Sequence, residues 1–262
     1  MPEGHVLHRL AREHEKALAG AALTVSSPQG RARGAAADLD GMTLLAVEAI
    51  GKHLFYRSAG ATLHVHLGLF GRFWSSGGDA PPPRPTTRLR LEGRGTTIDL
   101  IGPTDCRIVD PGEEEKIRAR LGPDPLRADG TADAFARLLA RRRIPVGAAL
   151  LDQRVLAGVG NIFRAEALFV AGIDPLRSAA SVPLAEATVL WETVQAMMRR
   201  GVRLGRIVTR DPDELGLSSR GSIHRRDALY VYKRQTCLHC SGTIALATVG
   251  GRSLYWCPRC QS

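Results

Sequence analysis

Lysine is scarce in this chain of 262 residues: of its 36 basic residues only four are lysines (Lys16, Lys52, Lys116 and Lys233), the rest being arginines. So strong a bias reflects coding composition more than chemistry, but it makes each lysine worth inspecting. Aromatic residues are few, at 5%, yet 44% of the chain is hydrophobic and rich in leucine and valine, which excludes a disordered chain. No apolar run approaches the roughly 18 residues of a membrane span. The first residues lack the basic stretch, apolar core and cleavage site of a secretory signal, so the expected location is the cytoplasm. At this length a core of ordinary size forms, and two or three domains are expected.

Acidic residues are sparse in one region. Residues 199–262 carry 12 Lys+Arg against 4 Asp+Glu, whereas residues 1–198 carry 24 against 22, so 8 of the net charge of +10 lie in the last quarter. A basic segment of that density suits a polyanion, of which nucleic acid is the commonest; a solvated basic surface is the plainer alternative.

Hydrophobic spacing predicts a helix over residues 3–18, with Val6, Leu7, Leu10, Ala11, His14 and Leu18 on one side and Gly20 as its stop. Short β-type segments follow at 23–26, 44–50, 54–57, 62–67, 87–91 and 97–101, a pattern that reads as a β-sandwich or barrel. Residues 75–85, with two glycines and three consecutive prolines, read as a surface loop. Helical signals return at 132–141 after Thr131, at 146–157, at 162–171 after Asn161, and at 184–199 after Pro183. Beyond residue 200 the chain is irregular to about 228, with a short strand signal at 229–232. The expected class is therefore α+β and multi-domain, divided at 1–118, 119–222 and 223–262.

Four of the five cysteines form two CxxC knuckles, Cys237/Cys240 and Cys257/Cys260, with 16 residues between them. Four thiolates at that spacing close a tetrahedron around zinc, and residues 244–256 alternate about Gly250-Gly251 as a β-hairpin does. Paired disulfides or a redox CxxC compete with this reading, but neither a cytoplasmic location nor the lack of a βαβ frame favours them. Four sulfurs leave no open coordination position, so such a metal is structural. Cys106 stands alone as an inert thiol. Arg252, next to the Gly-Gly turn, suits a bidentate grip on phosphate, or is simply a solvated turn arginine.

Gly158-Val159-Gly160-Asn161 makes a tight turn whose following helix leaves free N–H groups for an anion; taken alone, Asn161 is an ordinary N-cap. The opening Met1-Pro2-Glu3-Gly4 has two readings. Proline at the first helical position and an acid in the first turn are ordinary helix grammar. Alternatively, loss of the initiator Met leaves Pro2 a secondary amine able to attack C1′ of a nucleoside and form an iminium, with Glu3 shuttling protons.

Taken together, these residues resemble the formamidopyrimidine-DNA glycosylase / endonuclease VIII family. The resemblance runs through Pro2-Glu3, Gly51-Lys52 placed on a β segment, His66-Leu67-Gly68-Leu69-Phe70-Gly71-Arg72 and Leu121-Gly122-Pro123-Asp124-Pro125-Leu126. It continues through Leu150-Leu151-Asp152-Gln153 and Gly158 to Leu168, and closes with Tyr255-Trp256-Cys257-Pro258-Arg259-Cys260-Gln261. It implies an N-terminal helix and β-sandwich lobe, a helix-two-turns-helix lobe, a zinc-finger hairpin, and damaged double-stranded DNA held by a monomer associated with a bacterial nucleoid. It further implies a bifunctional glycosylase and abasic-site lyase, with Pro2 as Schiff-base nucleophile, Glu3 as proton donor and acceptor, and Lys52 as a second general acid or phosphate contact. Asn161 and Arg252 would hold phosphates flanking the lesion, Arg252 also serving δ-elimination. Leu69 would fill the gap left by an everted nucleotide, helped by Arg107. Cys237, Cys240, Cys257 and Cys260 would hold the zinc.

The chain departs from the 8-oxoguanine branch, which begins Pro-Glu-x-Pro-Glu and carries Asp-Pro-Arg-Arg-Phe-Gly. Here His5 and Val6 close the first motif, and Asp105 to Asp110 replace the second. Both departures favour the endonuclease VIII-like branch and oxidised pyrimidines. The approach to Cys237 lacks the expected Gly and Pro. His5, His8, His64 and His66 read as structural. A damaged-DNA-binding protein without catalysis is the alternative; an N-terminal-proline tautomerase explains neither the knuckles nor the C-terminal charge.

Overall fold

The computed structural model describes residues 2–261. The chain divides into two compact units, the first comprising Pro2, Glu3 and residues 7–119, the second Gly4–Val6 and residues 120–261.

Helix α1 (Gly4–Leu18), which belongs to the first unit from Leu7 onward, turns Leu7, Ala11, His14 and Leu18 inward at helical spacing, and all four are buried. His14 donates or accepts one hydrogen bond with the Tyr56 hydroxyl at 2.6 Å and meets the Phe73 ring edge-on. Burial pushes this imidazole down to about 4, so it is neutral near pH 7.

Two four-stranded antiparallel sheets follow. One has the order β1 (Thr24–Ser26), β6 (Thr87–Gly93), β7 (Thr96–Ile101), β5 (Arg72–Gly77). The other runs β2 (Leu44–Ile50), β3 (His53–Ser58), β4 (Thr62–His66), β8 (Asp105–Val109). Strand β5 reaches into the stretch expected to be a loop: Ser75, Ser76 and Gly77 pair with Ile98, Thr97 and Thr96 of β7. Ladder bonds to a neighbouring strand outweigh the poor β propensity of Ser and Gly here, and the loop starts only at Gly78, whose φ is 66°. Two helices and one strand also lie where none was expected: α2 (Arg33–Leu39), α3 (Pro111–Arg118) and β8. Helix α3 opens with a capping box between Asp110 and Glu113 but buries no residue. Ion pairs of Arg57 with Glu48 and Glu114, and of Arg118 with the same two acids, fix it to the sheet.

The second unit is built on α4 (Ala132–Ala140), α5 (Val146–Ala149), α6 (Asn161–Val170) and α7 (Leu184–Leu204), followed by a hairpin of β9 (Ala245–Val249) and β10 (Arg252–Trp256). Thr131 caps α4 as expected, accepting from Ala134 N. The helix expected over 146–157 is a single turn, because the Asp152 carboxylate accepts from the backbone of Arg154 and the chain continues as turns. Helix α7 runs to Leu204, where Gly205 takes a left-handed φ of 66°. Residues 229–232 form no strand. Their N–H groups at Tyr230, Val231 and Tyr232 go instead to the fully buried Glu166 carboxylate at 2.7–2.9 Å, so a side chain satisfies donors that a ladder would otherwise need. Among the described residues no helix is long and apolar enough to cross a membrane.

Candidate active-site residues and metal centre

Pro2 is half-buried and Glu3 only 3% exposed. The helix starts at Gly4, with Glu3 in extended backbone at the N-cap and its side chain making no cap bond. Proline is therefore not the first helical residue and the acid is not in the first turn, so helix grammar does not account for this pair. Just beyond, Gly4 N donates to Gly158 O at 2.7 Å, and the buried His5 ring meets Phe163 edge-on at 5.1 Å. A Cβ at Gly201 would lie 2.9 Å from that imidazole, which explains a glycine inside α7.

Lys52 lies in the two-residue turn joining β2 to β3, after Gly51 at φ 57°, and not on a strand as expected. The residues beside it are histidines. His53 pairs with His66 across β3 and β4, and His66 pairs with Asp105 across β4 and β8. His53 Nδ1 lies 2.9 Å from His64 Nε2, and His64 Nδ1 lies 3.2 Å from Asp105 Oδ2. Burial lowers all three imidazoles; the Lys52 charge lowers His53 and His66 further.

Leu69 and Phe70 stand out on the loop between β4 and β5, 58% and 81% exposed. This loop is set by its glycines. A Cβ on Gly68, at φ 64°, would fall 1.8 Å from Thr104 Oγ1, and one on Gly71 2.2 Å from the Leu67 carbonyl oxygen. Two apolar side chains are thus presented to solvent on a constrained backbone, and Phe70, which sequence reasoning passed over, is the more exposed. Arg107 on β8 pairs with Asp105 at 3.2 Å and Glu113 at 2.7 Å, so contact with a phosphate would exchange one acidic partner for another.

In the second unit, Gln153 braces the Gly158–Gly160 turn, accepting from Gly158 N and donating to Val159 O. Asn161 is the first residue of α6, behind Gly160, and does not cap it. Its Nδ2 donates to Ser253 O at 2.8 Å, while its Oδ1 accepts from Arg164. That tertiary tie outcompetes the local cap. Arg164 was not anticipated at all. Fully buried on α6, it donates to the carbonyls of Gly147, Val249 and Ser253 at 2.8–3.2 Å, pinning the hairpin to the helix. Its only sequence signal is a charge three residues after Asn161 inside an apolar helix. Arg252 opens β10 after Gly250 and Gly251, both at positive φ, and is exposed.

The four Sγ atoms of Cys237, Cys240, Cys257 and Cys260 lie within 4.8 Å of one another, with Cys237–Cys260 at 3.8 Å and Cys240–Cys257 at 3.5 Å. A tetrahedron with Zn–S of about 2.3 Å has edges of about 3.8 Å, so the donor set fits zinc. None is in a disulfide. Gln261 links the knuckle to the helical core, accepting from Cys257 N and donating to Ile173 O, both at 2.9 Å. In the approach to Cys237, Lys233 holds a left-handed φ of 59°, so the turn forms without the expected glycine. A further cavity of about 390 Å³ is lined by Arg200, Arg203 and Arg220 with Ser218 and Ser219.

Three domain families match this chain: the formamidopyrimidine-DNA glycosylase N-terminal domain over residues 1–111, its H2TH domain over 121–213, and the zinc finger found in FPG and IleRS over 234–262. Endonuclease 8 1 of Mycobacterium tuberculosis is 44% identical, covering 100% of both chains. The formamidopyrimidine-DNA glycosylase of Paracoccus denitrificans is 37% identical over 76% of this chain and 75% of that one. Among solved structures, the MutM (Fpg) protein of Thermus thermophilus matches with TM-score 0.78 and 31% identity, covering 99% of this chain and 98% of that one. The Lactococcus lactis Fpg bound to abasic-site DNA matches with TM-score 0.81 at 22% identity, over 99% of each, which speaks for the fold alone. The chain belongs to the formamidopyrimidine-DNA glycosylase / endonuclease VIII family of base-excision repair glycosylases.

Proposed function

We propose that this glycosylase removes oxidised bases, pyrimidines foremost, from duplex DNA and then cleaves the abasic strand as a lyase through Pro2. The observation that carries this reading is the Pro2-Glu3 pair itself, ahead of α1 with the carboxyl group buried and uninvolved in capping. A carboxyl group buried just ahead of the helix and not spent on capping it suits proton transfer. The preference for pyrimidines rests on the 44% identity to an endonuclease 8 and on the replaced 8-oxoguanine-branch motifs.

Removal of Met1, which lies outside the described residues, leaves Pro2 a secondary amine. The positive end of the α1 dipole disfavours its protonated form, keeping the lone pair available. That lone pair attacks C1′ as the C1′–N bond breaks, and the base departs with the bonding pair and the proton that the Pro2 nitrogen gives up. In the same step Glu3 gives a proton to O4′, which assists departure of the base as the sugar ring opens and the nitrogen becomes an iminium. Loss of a C2′ proton expels the 3′ phosphate, and a second elimination, assisted by Arg252, expels the 5′ phosphate. Lys52 serves as a second acid or holds a phosphate, Asn161 and Arg252 hold flanking phosphates, and Leu69 fills the vacated stack with help from Arg107. When bound, zinc supplies structure only, holding the hairpin that carries Arg252. The protein acts as a monomer in the cytoplasm, on nucleoid DNA.

Borohydride trapping tests the central step. Protein of verified intact mass, mixed with abasic-site DNA, yields a covalent adduct that disappears in Pro2→Gly with an added N-terminal residue. DNA affinity without adduct or nicking would assign the chain to binding alone, and full activity with Met1 retained would remove Pro2 from the mechanism.

A further inference from the structure

The half-buried face shared by β3, β4 and β8 carries a chain of polar groups that the proposed mechanism does not use. Asp105, His64 and His53 are joined in sequence by contacts of 3.2 and 2.9 Å, and the His53 ring stacks on His64 at 5.1 Å, with the His66 ring 4.9 Å away and tilted. His64 is 3% exposed. Such a chain admits few proton arrangements. A carboxylate accepts only, so the His64 nitrogen facing Asp105, Nδ1, carries the hydrogen. In a neutral ring the opposite nitrogen, Nε2, is then an acceptor, and His53 Nδ1 must be its donor. By the same rule His53 Nε2 is left with a lone pair.

Both rings are neutral near pH 7. Burial pushes His53 down to about 3, with the charges of His66, His64 and Lys52 acting in the same direction against Asp105. His64 is lowered mainly by burial, although Asp105 opposes the shift. The groups that face His53 are Lys52 from the preceding turn, His64 and His66 on β4, Asp105 on β8 and, beyond Asp105, Arg107. Among them Lys52 alone is a proposed acid, Arg107 having a proposed part only in filling the vacated stack.

We propose that the Asp105–His64–His53 chain locks His53 in the tautomer whose Nε2 accepts, making His53 a positioning residue for the Lys52 ammonium. The proposal rests on the reading of Lys52 as a site group. It explains why the lysine is followed by a histidine whose far nitrogen is tied down: an unanchored imidazole can present either a donor or an acceptor to an ammonium, and only the acceptor holds it. The carboxylate acts at two removes, as an orienting acid does behind a catalytic histidine.

The scarcity of lysine makes the test direct, since labelling lysine with 13C at Cε gives signals from only four side chains. His64→Phe removes the acceptor of His53 Nδ1, whereas His64→Gln restores both bonds, its amide donating to Asp105 and its carbonyl accepting from His53. We expect the Lys52 ammonium, its signal assigned by its loss in Lys52→Met, to lose its proton about tenfold more readily in His64→Phe, with His64→Gln near the parent and the other three lysines unmoved. The single-turnover trapping rate at saturating abasic DNA falls about tenfold in His64→Phe and recovers in His64→Gln, while DNA affinity stays constant.

An unmoved Lys52 titration, or equal behaviour of the Phe and Gln variants, would overturn the proposal. Should His64→Phe fail to fold, Asp105→Ala gives the same lysine readout, and an effect confined to DNA affinity there would assign the change to released Arg107 and count against the relay. Absence of trapping in the parent protein would instead defeat the lyase reading, while the lysine titration still decides the relay.

Discussion

The two units hold their candidate residues in opposite ways. In the first, all but Arg107 on β8 stand where regular structure stops: Pro2 and Glu3 ahead of α1, Lys52 in the turn between β2 and β3, Leu69 on the glycine-bounded loop. In the second, they stand where the chain is most heavily tied. Asn161 is bonded to the hairpin backbone, Arg164 gathers the hairpin carbonyls of Val249 and Ser253 together with that of Gly147 on α5, and four cysteines close the hairpin's base. The contrast fits a division of labour. Groups that move protons and form bonds need access and adjustable position, whereas groups that grip a phosphate backbone need a fixed frame, since a phosphate contact contributes chiefly by being in register.

If that division holds, changes in the first unit affect rate and those in the second affect binding. The largest effect is expected for Glu3→Gln, which keeps the shape of a buried side chain and removes only its proton. Base release should fall by about 10²–10⁴, the usual worth of general acid–base catalysis, with DNA affinity nearly unchanged. Single-turnover cleavage beside a binding titration separates the two, and a comparable loss of affinity would erase the distinction between the units.

Zinc removal comes next. Stripping the metal by a chelator should unfold the β9–β10 hairpin, while the first unit, which contributes no ligand, stays folded. Losing the frame of one charged phosphate contact, about 1.5–3 kcal/mol, corresponds to roughly tenfold to a hundredfold weaker DNA binding. Circular dichroism and a binding assay before and after zinc is restored would check this. Intact affinity in the metal-free protein would show that the hairpin is not part of the grip.

Legibility in the sequence follows the same divide. The zinc cluster was readable because metal chemistry imposes fixed spacing on cysteines, and the Gly250-Gly251 turn because a tight hairpin demands positive φ. Helix α1 announced itself through a buried stripe. Helix α3 did not, since it buries nothing and is held by Arg57, Glu48, Glu114 and Arg118, partners far apart in the chain. The same blindness to long-range partners made 229–232 look like a strand, when Glu166 takes its N–H groups, and made Asn161 look like a cap, when Ser253 takes its amide. Arg164 was invisible for that reason too. Pattern reading registers the period of a segment but not which distant carbonyls will surround a charge.

The smallest expected effect concerns the grip itself. Arg252 is exposed at the start of β10, whereas its own backbone is immobilised by the ties of Arg164 and Asn161 to the neighbouring Ser253 carbonyl. Arg252→Ala should therefore leave the hairpin and its metal in place and remove one positive charge from the DNA interface. One neutralised phosphate contributes about 0.9 to the slope of log affinity against log salt, so that slope should flatten by about one, and affinity should fall by about the same factor on every DNA sequence. The decisive measurement is the slope and not the affinity at one salt concentration. A weakened complex with an unchanged slope would mean that Arg252 acts through the fold of the hairpin and not on phosphate, and the second unit would then owe its hold on DNA to other charges among the twelve of its basic C-terminal quarter.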